Sequence, residues 1–184
     1  MFNDLFGKQP LIVSLDIDAQ VEQRIEQLIS AGLNSIELLQ ANASLLKHLR
    51  TKHPKLKIGL GNIHTVEQLT DAYHMGFDFM TSPGFYAPLA LTANQYHLNY
   101  IPGVSSMSDA MAILNLDIHH ARPCPGNLEL CIMLNKYCPQ LKLYPMDIEW
   151  EDIEQFLDLP SVAAVGLSNP DHLQMLQIAE SIQI

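Results

Sequence analysis

Positive charge is scarce in this sequence. Its 184 residues include 10 lysines and arginines against 20 aspartates and glutamates, which gives a formal net charge of -10 at pH 7. A chain of this charge repels a phosphate backbone, and its few lysines form no wide basic patch. We therefore expect no nucleic-acid partner.

Long apolar runs are missing as well. No run approaches the roughly 20 residues needed to span a bilayer, and the opening stretch MFNDLFGKQP lacks the basic and apolar regions of a secretory signal. The sequence therefore predicts no membrane partner and a cytoplasmic location.

Cysteine is rare, with three residues at Cys124, Cys131 and Cys138. An odd number of cysteines in a cytoplasmic chain gives no disulfide framework. Their spacing of seven residues is too wide for the paired ligands of a zinc site. We expect buried, reduced thiols.

What the chain does contain is typical of a folded domain. Apolar residues make up 48% of it and charged residues 16%, and no polar or repetitive stretch interrupts it. The length suits one domain with a substantial core, and we predict a single domain over residues 1–184.

Eight short apolar segments recur along the chain, and each begins 19 to 24 residues after the one before. They are LIVSLDI (11–17), SIELLQ (35–40), KIGLGN (57–62), FDFMTSPG (77–84), NYIPGVS (99–105), IHHARPCPG (118–126), KLYPMD (142–147) and VAAVGLS (162–168). Each has polar residues or glycine at or near its end, which is the pattern of a buried strand that reaches a loop. The segments predict eight strands.

Helical periodicity separates these segments, as in Val21, Ile25 and Leu28. Helix starts are indicated by Thr65 with Gln68, Ser106 with Asp109, and Asn169 with Pro170, and helix ends by Gly32 and Gly76. Eight regular strand and helix units predict a parallel sheet that closes into a single-domain (β/α)8 TIM barrel of the α/β class. An open doubly wound sheet is less favoured because GLGN (59–62) lacks the third glycine of a dinucleotide site.

Functional groups of such a barrel lie at the C-terminal ends of its strands. The polar residues there are Asp16, Glu37, Asn62, Ser82, Ser105, Arg122, Asp147 and Ser168. For Asp16, Asp147 and Ser168, helix capping or a loop contact is at least as favoured as a functional role.

Glu37 and Arg122 are the exceptions, because both lie in apolar segments where a charge needs a partner. Glu37 is either a general acid or base, or the structural partner of Arg122. Arg122 binds either Glu37 or a ligand anion. A ligand-binding arginine should face a pocket, whereas a structural one is closed off by its carboxylate.

Several strand ends resemble those of the 2-keto-3-deoxy-6-phosphogluconate (KDPG) and 4-hydroxy-2-oxoglutarate (KHG) aldolases. IPGVSSMSDAM resembles their fifth-strand segment, the SPG stretch of Ser82, Pro83 and Gly84 their fourth strand, IGLGNIHTVEQL their third strand, and SIELL carries their second-strand glutamate at Glu37. The resemblance runs from about residue 10 to 170. It implies a trimeric barrel that cleaves 2-keto acids through a lysine Schiff base.

Arg122 falls at the position of that lysine in the resemblance. A guanidinium stays protonated and cannot form an imine. Lys57 and Lys142 begin their strands, at the opposite end of the barrel from the expected site.

Other positions also depart from the family pattern. The carboxylate-binding arginine aligns with Ala41, the third-strand threonine with Asn62, and the phosphate-binding glycine pair with Met146 and Asp147. An aspartate there would repel phosphate. Glu37, the SPG turn and Ser168 of the eighth-strand phosphate site are retained.

These features favour a divergent family member that binds a small 2-keto acid or similar anionic carboxylate metabolite after loss of Schiff-base cleavage. Its expected site residues are Glu37, Arg122, Asn62, Ser82, Pro83, Gly84 and Ser168, with no cofactor. The alternative is a carbon-carbon lyase without an imine, in which Mg²⁺ or another divalent cation is held by Asp16, Glu37 or Asp147. A homotrimer is expected from the resemblance in either case.

Overall fold

Strands and helices alternate along the chain as the sequence predicts. The computed structural model describes residues 10–182. The predicted domain is traced over this range, and residues 1–9 of the opening stretch, with 183–184, lie outside the described residues.

The strands are short and almost fully buried. They are β1 (Leu11–Leu15), β2 (Ser35–Leu38), β3 (Lys57–Leu60), β4 (Phe79–Thr81), β5 (Tyr100–Ile101), β6 (Gly103–Val104), β7 (His120–Pro123), β8 (Lys142–Leu143) and β9 (Val165–Ser168). Strands β5 and β6 flank Pro102 and together form the predicted fifth strand. A proline has no N–H for the ladder, which explains the interruption.

Parallel pairing closes these strands into a barrel. Strand β1 pairs with β2 on one side and with β9 on the other, and the ladder continues through β3, β4 and β5. A second ladder joins β6, β7 and β8. The ring closes where Leu143 N donates to Ser161 O (2.7 Å) and Gly166 N donates to Pro145 O (2.8 Å). The predicted (β/α)8 barrel is confirmed.

Helices follow the strands and pack their apolar faces on the outside of the barrel. They are α1 (Val21–Ser30), α2 (Ala43–Lys52), α3 (Val66–Met75), α4 (Ala87–Gln95), α5 (Met107–Asn115), α6 (Leu128–Tyr137), α7 (Ile153–Leu157) and α8 (His172–Ile182). A short 3-10 helix, Trp150–Asp152, precedes α7. No helix within residues 10–182 is both long enough and apolar enough to cross a membrane.

Two of the three predicted helix starts are correct. Thr65 and Gln68 form a full capping box at α3, and Ser106 accepts the backbone N–H of Asp109 at α5. The prediction of Asn169 as the cap of α8 is wrong. Its φ of 46° lies in the left-handed region and its amide turns toward β1.

The start of α8 is fixed two residues later instead. The carboxylate of Asp171 accepts the N–H of Gln174 (2.9 Å), and Gln174 accepts the N–H of Asp171 (2.9 Å). This reciprocal pair satisfies two donors of the first helical turn in the manner of a capping box.

Candidate functional site

A buried ion pair crosses the interior of the barrel. Nη1 of Arg122 on β7 donates to Oε1 of Glu37 on β2 at 2.8 Å, and Nη2 donates to Oε2 at 2.8 Å. The Glu37 side chain is 1% exposed and that of Arg122 is 9% exposed. Such a bidentate contact is the strongest geometry available to these two groups.

Two hydroxyl groups complete the surroundings of the Glu37 carboxylate. Ser14 Oγ donates to Oε2 at 2.5 Å, and Thr81 Oγ1 donates to Oε1 at 2.5 Å. Arg122 Nη1 also donates to the Thr81 hydroxyl. Each carboxylate oxygen therefore accepts two hydrogen bonds, which fills its lone pairs.

The sequence analysis missed both hydroxyl groups, although the strand pattern contains a signal for them. Ser14 is a polar residue inside an apolar run and pairs in register with Glu37. Thr81 lies two residues after Phe79, on the same face of β4. Neighbouring parallel strands place such side chains on one interior face.

Burial alone would raise the pKa of Glu37, since it disfavours the charged form. The charge of Arg122 and the hydrogen bonds from Arg122, Ser14 and Thr81 outweigh burial, and the pKa of Glu37 lies below its ordinary value. Glu37 is thus a carboxylate at neutral pH. With its lone pairs filled, it has no free position for a substrate proton in this state.

Little space surrounds the pair. Gly61 leaves room for Glu37, because a Cβ at Gly61 would lie 3.0 Å from Cδ of the glutamate. An interior cavity of about 10 Å³ lies beside Arg122 and is also lined by Met146. This volume holds about one water molecule.

The SPG turn has a structural contact at its first residue. Ser82 is buried, and its hydroxyl donates to Gly84 O at 2.7 Å and shares a hydrogen bond of 2.6 Å with the Tyr100 hydroxyl. Strand alternation directs Thr81 inward and Ser82 outward. Pro83 and Gly84 are exposed, and their predicted role in binding substrate stays a prediction.

Asn62 lies outside the barrel interior. It is exposed, has a φ of 57°, and lines a surface groove of about 350 Å³ with Gln40 and Asp71. The structure thus does not bring Asn62 together with the other predicted site residues. Its predicted role in substrate binding remains a prediction.

Ser168 and Asp147 lie together at the C-terminal end of the barrel. The Ser168 hydroxyl donates to Asp147 Oδ1 at 2.5 Å, and both residues are exposed. Ser168 therefore faces a carboxylate, which is unfavourable for a phosphate ligand.

Asp16 is engaged in another cluster at this end. Asn169 Nδ2 donates to Asp16 Oδ2 at 2.8 Å, and Arg24 of α1 donates to Asn169 Oδ1 and to Asp16 O. The sequence analysis missed Arg24, whose position inside a helix gives no signal of this contact. Within residues 10–182, no three His, Cys, Asp or Glu side chains come together as a metal-binding group, so the predicted alternative ligands Asp16, Glu37 and Asp147 form no preformed cluster.

The lysines considered as substitutes begin their strands, as predicted. Lys57 is the first residue of β3 and lies 3.7 Å from Asp78, and Lys142 is the first residue of β8. Both therefore lie at the N-terminal end of the barrel, away from Arg122.

All three cysteines are free, and Cys131 and Cys138 are buried as predicted. Cys124 is only half-buried, two residues after Arg122. Burial raises the pKa of the Cys124 thiol, so it is no activated nucleophile.

This chain is similar in sequence to several aldolases. The family model of KDPG and KHG aldolase matches residues 8–183. The 2-dehydro-3-deoxy-phosphogluconate aldolase of Pseudoalteromonas atlantica is 26% identical over 174 residues, which cover 89% of this chain and 80% of that protein. The KHG/KDPG aldolase of Escherichia coli K12 is 25% identical over 165 residues, covering 85% and 77%.

Solved aldolase structures have a fold similar to that of this chain. The KDPG aldolase from Legionella pneumophila, with pyruvate captured as a covalent carbinolamine intermediate, has a TM-score of 0.86 at 26% identity and covers 99% of this chain and 96% of that one. The aldolase of Zymomonas mobilis ZM4 with 3-phosphoglycerate has a TM-score of 0.85 at 22% identity, with coverages of 99% and 96%, and supports the fold.

Proposed function

The chain belongs to the KDPG and KHG aldolase family, and on this premise we propose that it binds a small 2-keto acid or similar carboxylate without Schiff-base aldol cleavage. Arg122 occupies the position that the sequence resemblance gives to the imine-forming lysine. A guanidinium has no free amine to attack a carbonyl. The covalent step of a lysine aldolase is therefore not expected at this position.

The observation that carries the proposal is the free edge of the Arg122 guanidinium. Three of its five N–H groups are used, two by Glu37 and one by Thr81. The Nε–H and the second Nη2–H form the remaining edge, and no described residue accepts from Nε. The Arg122 side chain is 9% exposed, and neither Glu37 nor Thr81 occupies this edge.

That edge is a fork of two parallel donors, which matches the two oxygens of a carboxylate. A ligand bound there would leave the Glu37 contact intact. The buried ion pair with Glu37 would then hold the Arg122 guanidinium in position for the ligand. The sequence left two alternatives for Arg122, contact with Glu37 or binding of a ligand anion. In this geometry Arg122 can do both.

Turnover is less well supported than binding. Glu37 has filled lone pairs and a lowered pKa, which disfavours it as a general base in this state. Mg²⁺-assisted lyase chemistry would require Glu37 to leave Arg122 or the exposed carboxylates to rearrange. That alternative, the homotrimer and the cytoplasmic location stay predictions.

Lactate provides the sharpest binding test, because it has the carboxylate of pyruvate but no carbonyl for an imine. We expect titration calorimetry to detect lactate binding to the wild type. Arg122→Lys keeps the positive charge but loses the fork, and hydrogen bonds to charged groups contribute about 1.5–3 kcal/mol. The variant should bind lactate about ten- to hundredfold more weakly.

Borohydride trapping with pyruvate, followed by intact mass, tests the loss of the imine. The wild type should give no adduct, with a lysine-active aldolase of the family as positive control. A stable adduct on the wild type would overturn this part of the proposal and direct attention to Lys57 and Lys142. Equal lactate affinity in the wild type and Arg122→Lys would overturn the role of the fork.

A further inference from the structure

A surface groove of about 350 Å³ lies between two loops at the C-terminal end of the barrel. Gln40 lines it from the connection between β2 and α2, and Asn62 from the connection between β3 and α3. One face of α3 forms a further wall, because Gln68, Asp71 and Met75 follow one another at spacings of three and four residues. The volume is within the range of small-molecule sites.

The deeper part of this groove is apolar. Leu60, Gly61 and Ile63 are buried, and Leu39 is half-buried. Gly61 also borders the buried ion pair, since a Cβ there would lie 3.0 Å from Cδ of Glu37. Glu37 itself does not line the groove. The groove is therefore a separate space next to the ion pair.

The rim of the groove carries polar groups with free hydrogen-bonding capacity. The side chains of Gln40, Asn62 and Asp71 are exposed and make no hydrogen bond or ion pair with any residue in the described part of the chain. Gln68 is different, because its carbonyl oxygen accepts the backbone N–H groups of His64 (2.8 Å) and Thr65 (3.3 Å). The free acceptors are thus two amide oxygens and one carboxylate.

The charge of the groove has one sign. Among the described residues that line it, Asp71 is the only one with a formal charge, and none is a lysine or arginine. The net charge of the whole chain, -10, adds a field that attracts cations. A carboxylate or phosphate placed here would meet Asp71 without a compensating cation.

An alkylammonium group matches this arrangement. It has three N–H donors and no acceptor, and the rim offers the Asp71 carboxylate with the amide oxygens of Gln40 and Asn62. An alkyl chain would lie on the apolar surface of Leu39 and Met75. Like the lysine side chain, an alkylamine is protonated at neutral pH.

We propose that this groove is a binding site for a small primary amine with a short alkyl chain and no carboxylate of its own. It is independent of the proposed carboxylate site at Arg122 and selects a ligand of the opposite charge. The barrel would then bind an acid and an amine at neighbouring positions of its C-terminal end.

Butylamine, butanol and butanoate are suitable probes, because each has a short alkyl chain and they differ in charge. The measurement is a titration at neutral pH followed in amide ¹H–¹⁵N NMR spectra. Butylamine should shift the signals of Gln40, Asn62 and Asp71 in a saturable way. Butanol should bind about fivefold more weakly, as expected for loss of one exposed charge contact, and butanoate should leave these signals unchanged.

Asp71→Asn removes the charge of the groove and keeps its shape, so it should weaken butylamine binding by about fivefold. Glu67→Gln is the matched control. Glu67 is an exposed acid one turn earlier on α3 and does not line the groove. Its removal should leave the affinity for butylamine within about twofold of the wild type.

Ala41→Arg tests the charge preference in the opposite direction. Ala41 is exposed and lines the same groove, so a guanidinium there would face the space of the ligand. The variant should lose butylamine binding, and butanoate should now shift the signals of Asn62 and Asp71. The same spectra report whether each variant is folded.

The contrary outcomes are specific. Equal affinities for butylamine and butanol, or equal losses in Asp71→Asn and Glu67→Gln, would overturn the charge preference. Butylamine shifts confined to another acidic surface, such as that of Glu129 and Glu149, or no saturable shift at all, would overturn the assignment to this groove. Lactate binding is measured separately, so each of these results leaves the proposed site at Arg122 intact.

Discussion

Glu37 and Arg122, which are 85 residues apart in sequence, meet through two hydrogen bonds of 2.8 Å across the barrel interior. The glutamate is the one that the resemblance assigns to proton transfer, and the arginine stands in place of the lysine. Their contact compensates both charges in a nearly dry interior. The resemblance places a catalytic glutamate and lysine at these two positions. In this chain Glu37 and Arg122 form a structural link between β2 and β7 instead.

Breaking this pair from one side should be costly. Glu37→Leu leaves the guanidinium without its anion, and Arg122→Met leaves the carboxylate without its cation. Each should lower the free energy of unfolding by about 3–5 kcal/mol, measured by urea denaturation at neutral pH.

The double variant Glu37→Leu/Arg122→Met is the control for this prediction. It removes both charges, so it should be more stable than either single variant, although the Ser14 and Thr81 hydroxyl groups lose their acceptor. Losses that simply add in the double variant would show that the two residues do not act as a pair.

Arg122→Lys should restore an amine that can react with a carbonyl. The family resemblance places a Schiff-base lysine at this position, and Glu37 and Thr81 remain beside it. We expect borohydride to trap a pyruvate adduct on this variant, detected by intact mass, where the wild type gives none.

Arg122→Gln serves as the matched control for the trapping experiment, because it lacks an amine at the same position. A trapped mass in Arg122→Gln would assign the reaction to another lysine. No adduct in folded Arg122→Lys would mean that position 122 is not aligned with a bound carbonyl, and would contradict the prediction.

Sequence periodicity was sufficient to predict the barrel because eight apolar segments alternate with helical ones. The strand ends were predicted too far along the chain: β4 ends at Thr81, although the segment extends to Gly84. Polar residues and glycine continue the extended pattern after the hydrogen-bonded ladder has ended. The sequence therefore does not show where the strand stops and the loop begins.

The central ion pair could be anticipated for a different reason. A charge in an apolar strand requires a counter-charge, and Glu37 and Arg122 were the two strand-end residues with that need. Ser14, Thr81 and Met146 could not be selected in this way. A hydroxyl or a thioether is common in a core, and its role depends on which neighbours the closed barrel provides.

Added Mg²⁺ should leave the thermal stability of the protein unchanged, with or without pyruvate. The carboxylate of Glu37 already accepts four hydrogen bonds. Asp147 accepts one from Ser168, and Asp16 accepts one from Asn169. The measurement is a thermal shift in Mg²⁺ against EDTA. An increase in melting temperature that Asp147→Asn abolishes would instead support the metal-assisted lyase.

His120 should make the protein less stable as the pH falls from about 6.5 to about 4. Burial, together with the charges of Lys142 and His119, lowers the pKa of this histidine to about 4. The ordinary pKa of about 6.5 applies to the unfolded chain. In this window the unfolded state binds the proton and the folded state does not, so acid favours unfolding. Glu37 acts mainly at lower pH, because its contribution to stability is lost as the pH falls from its ordinary pKa of 4.5 toward its lowered pKa in the folded state.

The measurement for His120 is urea denaturation of the wild type and His120→Asn at a series of pH values. The variant removes the titrating ring, so its stability should change less between pH 6.5 and 4 than that of the wild type. Equal slopes in the wild type and His120→Asn would mean that His120 accepts a proton in the folded barrel as readily as in the unfolded chain, and would contradict its burial beside Tyr144.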